Sequence, residues 1–371
     1  MSKLILHLGT NKTGTSYIQS WLKLNADNLK TKNYFIPQSL IYKNNNQAIL
    51  PYCFGDPGDM LNRSISFKFS VMSNRDYYDF CQDTLDKFTN EIDFICKTID
   101  NPTFIISSEQ FSSFLQSPNN IQSLSEFLSN LFDDITIIMY IREPLSYMIS
   151  CISQNLKVGS RINKLDRIPN ASSEFSRSLC DHEQRCRLWE TNFSHSQFKL
   201  RRFQGESFYK NDLIEDFLFS IGIENNDFKS VQRHRASNPS LSVSQMRYLY
   251  FLNKLYPPFK EYERNDARVG LISFIQKILN SKDQLLPTLA QVEDYESYYR
   301  ESSIRLLSRY FPGDSTLWVS SYKTKLPSTP IILSQMSTLD SFRYSFIRIA
   351  WSMIVIIKKI QSNLFSIFSL K

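Results

Sequence analysis

The chain has 371 residues, 42% of them hydrophobic and 21% charged, which suits one large globular domain or two modest ones and excludes a disordered protein. Its 43 basic and 36 acidic residues leave a net charge of +7, suited to anionic ligands or membrane surfaces. The basic residues are dispersed rather than striped, so no nucleic-acid partner is expected. The six cysteines (Cys53, Cys81, Cys96, Cys151, Cys180, Cys186) form no C-x-x-C pair, which argues against a zinc site and a disulfide framework. Reduced thiols, together with an apolar run Leu4–Leu8 too short for a signal peptide, predict a cytoplasmic body.

In chain order, KLILHL (3–8) reads as a short buried strand ended by Gly9. GTNKTGTS (Gly9, Thr10, Asn11, Lys12, Thr13, Gly14, Thr15, Ser16) follows, and then a stretch with helical spacing at Ile18, Trp21, Leu22 and Leu29. Glycine is scarce, 9 in the whole chain, so two within this window mark a turn. The window nearly fits the phosphate-cradling pattern G-x-x-x-x-G-K-[ST], but Thr15 stands where lysine belongs and Lys12 lies inside the loop. PTFIISSEQF (102–111) predicts a second strand, Phe104–Ser107, with Glu109 just beyond it. DDITIIMYIREP (133–144) predicts a third, Ile135–Ile141, running into Arg142 and Glu143, and FKLRRF (198–203) a weaker fourth. Helical stretches at 121–132 and 213–223 intervene, while 40–80 and 155–180 read as excursions from the sheet. Strands alternating with helices predict an α/β fold: a central, mainly parallel sheet flanked by helices.

A glycine turn backed by a helix N-terminus directs successive backbone N–H groups at an anion. Thr13, Thr15 and Ser16 offer hydroxyls there, and Lys12 an ammonium. A triphosphate site would also want a carboxylate for magnesium at the end of another strand. The third strand presents Arg142 first, which suits an anion held by Arg and Lys and predicts no metal. Ser150 lies eight residues beyond Arg142, about two turns into a helix that Pro144 can start.

Together, HLGTNKTGTSYIQ and YIREPLSYMISCISQ resemble the 5′-phosphosulfate loop and the 3′-phosphate motif of sulfotransferases that use 3′-phosphoadenosine 5′-phosphosulfate (PAPS). The likeness is to the bacterial and carbohydrate-type members, and it is strong over some thirty residues (about 30) of the motif set. It implies a P-loop-NTPase-like sulfotransferase fold over residues 1–320. It implies that Lys12 contacts the oxygen bridging sulfate and phosphate, that Thr13, Gly14, Thr15 and Ser16 wrap the 5′-phosphate in a donor-binding loop that begins with Gly9, Thr10 and Asn11, and that Arg142 with Ser150 grips the 3′-phosphate. Arg235 and Asn238, in QRHRASNPSLSVSQ (232–245), stand where the family places a basic loop over the same end of the donor. A Tyr-Glu pair common after the family's fourth strand is replaced here by Phe203–Gln204.

The acceptor needs a base. Glu109 is placed for it, near the crevice where open α/β sheets bind ligands, and the same residue could equally open a helix beginning near Ser108. His7 is the rival, but its place inside an apolar run argues for packing; His182, His195 and His234 have no informative spacing. The resemblance points to a glycan or other hydroxyl-bearing acceptor, and Tyr42, Tyr52, Tyr77 and Tyr78 in the excursions offer faces for sugar stacking. Two other readings stay open: a P-loop kinase or NTPase, and a non-catalytic membrane-associated binding protein.

Residues 321–340 read as a linker with Pro327 and Pro330, and 341–371 as an amphipathic helix. Arg348, Lys358 and Lys359 interrupt that helix too often for a bilayer span. It suits either a membrane interface, making the protein peripheral on the inner face, or burial against protein.

Overall fold

Each of the four predicted runs is a strand: three are apolar because a strand covered on both faces has no polar side to alternate with, while Gln197–Arg202 buries only Leu200 and carries Lys199, Arg201 and Arg202. The computed structural model describes the chain except for residues 43–45, 62–63, 160–165, 225–227, 231–239, 261–262, 282, 320–321, 323–325 and 369–371. β1 (Lys3–Gly9), β2 (Tyr34–Phe35), β3 (Thr103–Ser108), β4 (Asp134–Ile141) and β5 (Gln197–Arg202) form a five-stranded sheet in the order β2-β3-β1-β4-β5. Every pairing in it is parallel. The α/β expectation is met. β2 was not foreseen, since two residues carry no period to read.

The chain divides into two compact units, Met1–Tyr147 with Leu179–Ala236 and Tyr299–Val319, and Met148–Ser178 with Ser237–Tyr298 and Ser320–Lys371. The stretch expected as one domain, 1–320, is divided between both units, while the expected linker and final helix, 321–371, fall in the second.

The first unit contains the sheet. β1 sends Leu4, Leu6 and Leu8 to one face, where they meet Phe104, Ile106, Ile137 and Met139 of the neighbouring strands. Its other face carries Ile5, packed with Ile105, Ile138 and Tyr140 and covered by Ile18, Trp21 and Leu22 of the helix Thr15–Leu24. The i, i+3, i+4 spacing of those three residues is what turns that helix onto the sheet. On the first face lies the helix Pro118–Ser129, opened by Ser117, which accepts from Asn120 N–H at 3.3 Å, and buried through Ile121, Leu124 and Leu128. The helix Asn74–Thr98 begins inside the predicted excursion 40–80. Ser73 and Asp76 form its capping box, and its buried stripe is Tyr77, Cys81, Thr84, Phe88 and Ile92.

A buried carboxylate fixes the helix Leu213–Ser220 to the sheet. Asp216, 1% exposed, accepts from Tyr140 O–H of β4 at 2.7 Å, Arg201 Nε–H of β5 at 3.0 Å and Tyr209 N–H at 2.8 Å. Arg201 also donates through its terminal nitrogen to the other carboxylate oxygen. The charge is thus paired and fully hydrogen-bonded, the condition under which a buried ion persists.

The second unit is helical around Val243–Leu255, Leu271–Ile278 and Leu289–Tyr298. Within it, Arg268 donates to Lys157 carbonyl at 2.9 Å and Tyr256 carbonyl at 2.8 Å, and to Asn253 Oδ1 at 2.7 Å. Ala171 N–H donates to Asp294 at 2.7 Å. The predicted amphipathic helix is observed as Thr338–Phe368.

Removing Asp216 would leave the half-buried Arg201 and the Tyr140 hydroxyl without their shared acceptor. Asp216→Ala is expected to lower the unfolding free energy by about 3–5 kcal/mol in urea titrations, and a loss below about 1 kcal/mol would contradict that role.

Candidate functional site

The order β2-β3-β1-β4-β5 makes β1 and β4 diverge: the chain leaves β1 for one edge of the sheet and β4 for the other. Ligands of open α/β sheets bind where strand order reverses in this way, at the carboxyl ends. The loop Gly9–Ser16 occupies that end of β1.

Its shape follows from its glycines. A Cβ on Gly9 would lie 2.2 Å from Thr15 Oγ1 and 2.7 Å from Thr15 Cγ2, so the Thr15 side chain folds back over a residue that has none. Gly14 is left-handed at φ +78°, and a Cβ there would meet Leu213 Cδ2 at 2.3 Å and Phe203 Cε2 at 2.9 Å. Lys12 is also left-handed, at φ 63°, a conformation that costs a non-glycine residue of order 1 kcal/mol and clusters at ligand sites. Inside the loop, Thr10 O–H donates to Tyr140 carbonyl at 2.8 Å and Thr13 O–H to Thr10 carbonyl at 2.7 Å. The hydroxyls of Thr10 and Thr13 hold the loop's shape, and Thr15 Oγ1 is buried against Gly9; Ser16 is the exposed one. No side chain caps the helix Thr15–Leu24 and no acidic residue lies in its first turn. Its leading amides and positive end therefore favour an external anion.

Glu109 follows β3 directly and occupies the N-cap position of the helix Gln110–Phe114. Burial raises its pKa, opposed by the positive charge of Lys12 and by the Gln110 hydrogen bond, with burial the larger effect. Lys12 and Glu109 are therefore brought within electrostatic reach of each other. Ser112 Oγ lies 2.9 Å from Gly9 carbonyl and 3.0 Å from Glu109 carbonyl, tying the Glu109 turn to the end of β1. A side segment braces β3 below it: Ser107 N–H donates to Gln47 Oε1 at 2.8 Å, and Asn46 Nδ2–H to Gln110 Oε1 at 2.9 Å. None of these braces was read from the sequence, because each joins residues distant along the chain.

Arg142 stands just past β4, with its guanidinium 5.9 Å from the Phe203 ring centroid. Phe203 also roofs Gly14, so one aromatic ring adjoins both the loop and Arg142. The Arg142 carbonyl accepts from His182 Nε2–H at 2.7 Å. Glu143 caps the helix Pro144–Val158, accepting from Leu145 N–H at 2.8 Å and Ser146 N–H at 2.7 Å. Ser150 is on that helix, 8% exposed, and belongs to the second unit. Arg235, Asn238 and His234 lie outside the described residues. Gln204 donates from Nε2 to Val319 carbonyl at 3.2 Å.

His7 is packed. It is 0% exposed, its Nδ1 lies 2.8 Å from Ser107 Oγ, its ring meets Tyr140 and Phe217 edges, and Nε2 is buried without a partner. Burial lowers its pKa to about 3, so the ring stays neutral within the core and does not reach the loop's ligand face. Among the described residues, no group of three or more His, Cys, Asp or Glu could hold a metal ion.

No family model matches the chain, and no curated protein matches it. Among solved structures, it is similar to a sulfotransferase from Alicyclobacillus acidocaldarius, at 12% identity and a TM-score of 0.35 over 67% of this chain and 91% of that one. It is also similar to the sulfotransferase domain from the curacin biosynthetic pathway, at 10% identity and a TM-score of 0.31 over 76% of this chain and 99% of that one. Likenesses this distant decide neither fold nor activity, which rest on the residues themselves.

His182 shares the state of His7: burial, then the charge of Arg185, lowers its pKa to about 3. Both rings are neutral when folded and bind protons near 6.5 once unfolded. The stability gained by burying them neutral is complete above pH 6.5 and is lost as pH falls toward about 3. Each should add up to about 1.4 kcal/mol per pH unit to the slope of unfolding free energy in that window. Urea titrations from about pH 7 to 4 should give a shallower slope for His7→Gln than for the wild type; an unchanged slope would contradict a neutral buried ring.

Proposed function

We propose that the chain is a sulfotransferase that takes a sulfuryl group from PAPS and passes it to a hydroxyl, or an amine, of a carbohydrate acceptor. The observation that carries this reading is the pairing of Lys12, itself a left-handed loop residue, with a half-buried Glu109 within reach of its charge. A cation and a base opposed in this way match the two ends of an in-line displacement.

In the proposed step, the Glu109 carboxylate takes the acceptor's proton as the acceptor oxygen bonds to sulfur. The bond from sulfur to the bridging oxygen breaks, and its electron pair passes to the 5′-phosphate. Lys12 and the loop amides hold the charge that develops there, the form of stabilisation that contributes most in acyl and phosphoryl transfer. The raised pKa makes Glu109 a stronger base than an exposed carboxylate. Arg142 and Ser150 are proposed to hold the 3′-phosphate, with Arg235 and Asn238 over the same end of the donor. Glu143, whose two oxygens are engaged by amides of the following helix, favours this reading over a kinase or NTPase that would need it for magnesium.

Release of the desulfo product from PAPS, measured with a mixed glycan acceptor, should fall by about 10²–10³-fold in Lys12→Ala. Unchanged release in that variant would overturn the assignment. Activity of the wild type should drop on the acid side with a pKa above 4.5, because protonated Glu109 is no base. Glu109→Gln should lose both turnover and that acid limb while still binding the desulfo product; a persisting acid limb would place the base elsewhere.

A further inference from the structure

The helix Thr338–Phe368 is attached to the second unit by one face. Trp351, 2% exposed, donates from Nε1 to Ala267 carbonyl at 3.0 Å, and its ring lies 5.0 Å from that of Phe274. Ile347 is buried beside it, Tyr344 packs on Tyr248 and Phe251, and Lys358 donates to Val269 carbonyl at 2.8 Å. At about 100° per residue, these four positions fall on one narrow arc.

The opposite arc is apolar and exposed. Phe342 is 74% exposed, Phe346 71%, Ile349 53%, Met353 53%, Ile356 58% and Ile360 54%. Six large apolar side chains in one continuous stripe are more than the scattered exposure ordinary on a soluble surface. The helix has four basic residues, Arg343, Arg348, Lys358 and Lys359, all exposed, and one acidic residue in its first turn, Asp340, which by helical angle lies on the Trp351 arc and faces Arg247 at 3.9 Å. By helical angle, Arg343 flanks the stripe on one side, and Arg348 and Lys359 on the other. Among the described residues, no helix is long and apolar enough to cross a membrane.

We infer that this stripe is a docking surface for an anionic lipid membrane, on which the helix lies in the interface plane while its Trp351 face holds the second unit. An apolar stripe bordered by cations sinks between headgroups and leaves its charges at the level of the phosphates. The alternating three- and four-residue spacing of the stripe also matches a helix–helix seam. Charge decides between the two: no acidic residue borders the stripe, so a second copy would set cations beside cations, whereas anionic lipid supplies the opposite sign. The inference is independent of the catalytic reading, since it uses no residue of the loop or the Glu109 turn.

Co-sedimentation of the full chain with vesicles tests it. Partition onto vesicles of phosphatidylglycerol and phosphatidylcholine should exceed partition onto pure phosphatidylcholine by about tenfold or more at low salt, because each basic residue near an anionic surface adds attraction. The triple variant Phe346→Ser/Ile349→Ser/Met353→Ser should lose that binding with an unchanged circular-dichroism melt, since all three side chains are exposed. Arg343→Gln/Arg348→Gln/Lys359→Gln should lower anionic binding toward the neutral-lipid level. Wild-type protein left in the supernatant with anionic vesicles overturns the inference. So does a wild-type dimer in sedimentation velocity that the Ser variant converts to monomer, which would assign the stripe to a second copy.

Discussion

Thr15 lies so close over Gly9 that any side chain at residue 9 would overlap it, and the loop of the proposed donor site turns on that approach. Because Thr15 folds back on the end of β1, the chain bends within six residues from a central strand into a helix pointing its N-terminus at the crevice. Gly14 meets a second limit, with Leu213 and Phe203 above it and a left-handed backbone below. Leu213 holds that position because Asp216, three residues on in the same helix, is bound to Tyr140 and Arg201 of the sheet. A buried ion pair, a glycine roof and an uncapped helix thus act in series. The pair contributes by fixing geometry, and little net stability need be ascribed to it.

The consequence for chemistry is that the loop hydroxyls are mostly used internally. Thr10 and Thr13 close the loop on itself and on β4, leaving backbone amides, Ser16 and Lys12 to face a ligand. Amides at a helix N-terminus hold an anion without a metal, and a sulfuryl group carries less charge than a phosphoryl group, so less counter-charge is required. The proposed division of labour is therefore economical: Lys12 on the leaving oxygen, Glu109 on the acceptor, and arginine on the distant phosphate.

Three of the five sheet strands were legible as apolar runs because burial on both faces removes polar alternation, and β5 only as a weaker signal because Leu200 alone of its residues is buried. The loop was legible because glycine is rare in this chain, and Glu109 because it follows a buried strand. The helix Asn74–Thr98 was not, since its buried stripe mixes Tyr77, Cys81 and Thr84 with Phe88 and Ile92, a weak apolar signal. Asp216 carried a hint, an acid among Leu213, Ile214, Phe217 and Leu218, but its partners at 140 and 201 come from other strands. The roofing of Gly14 by Phe203 and Leu213, and the bracing of β3 by Asn46 and Gln47, exist only through long-range packing. His7 reads the same in both: an apolar run argues for packing, and the ring is fully buried.

Calorimetric titration of the full chain with 3′-phosphoadenosine 5′-phosphate, with EDTA present and again with magnesium, bears most directly on the central claim that this loop holds the PAPS 5′-phosphate without a metal. The claim predicts saturable binding of one equivalent (about 1 per chain, the number of such loops) that EDTA leaves intact and Lys12→Ala weakens. Binding of ATP that requires magnesium, with none of the desulfo product under either condition, would contradict it.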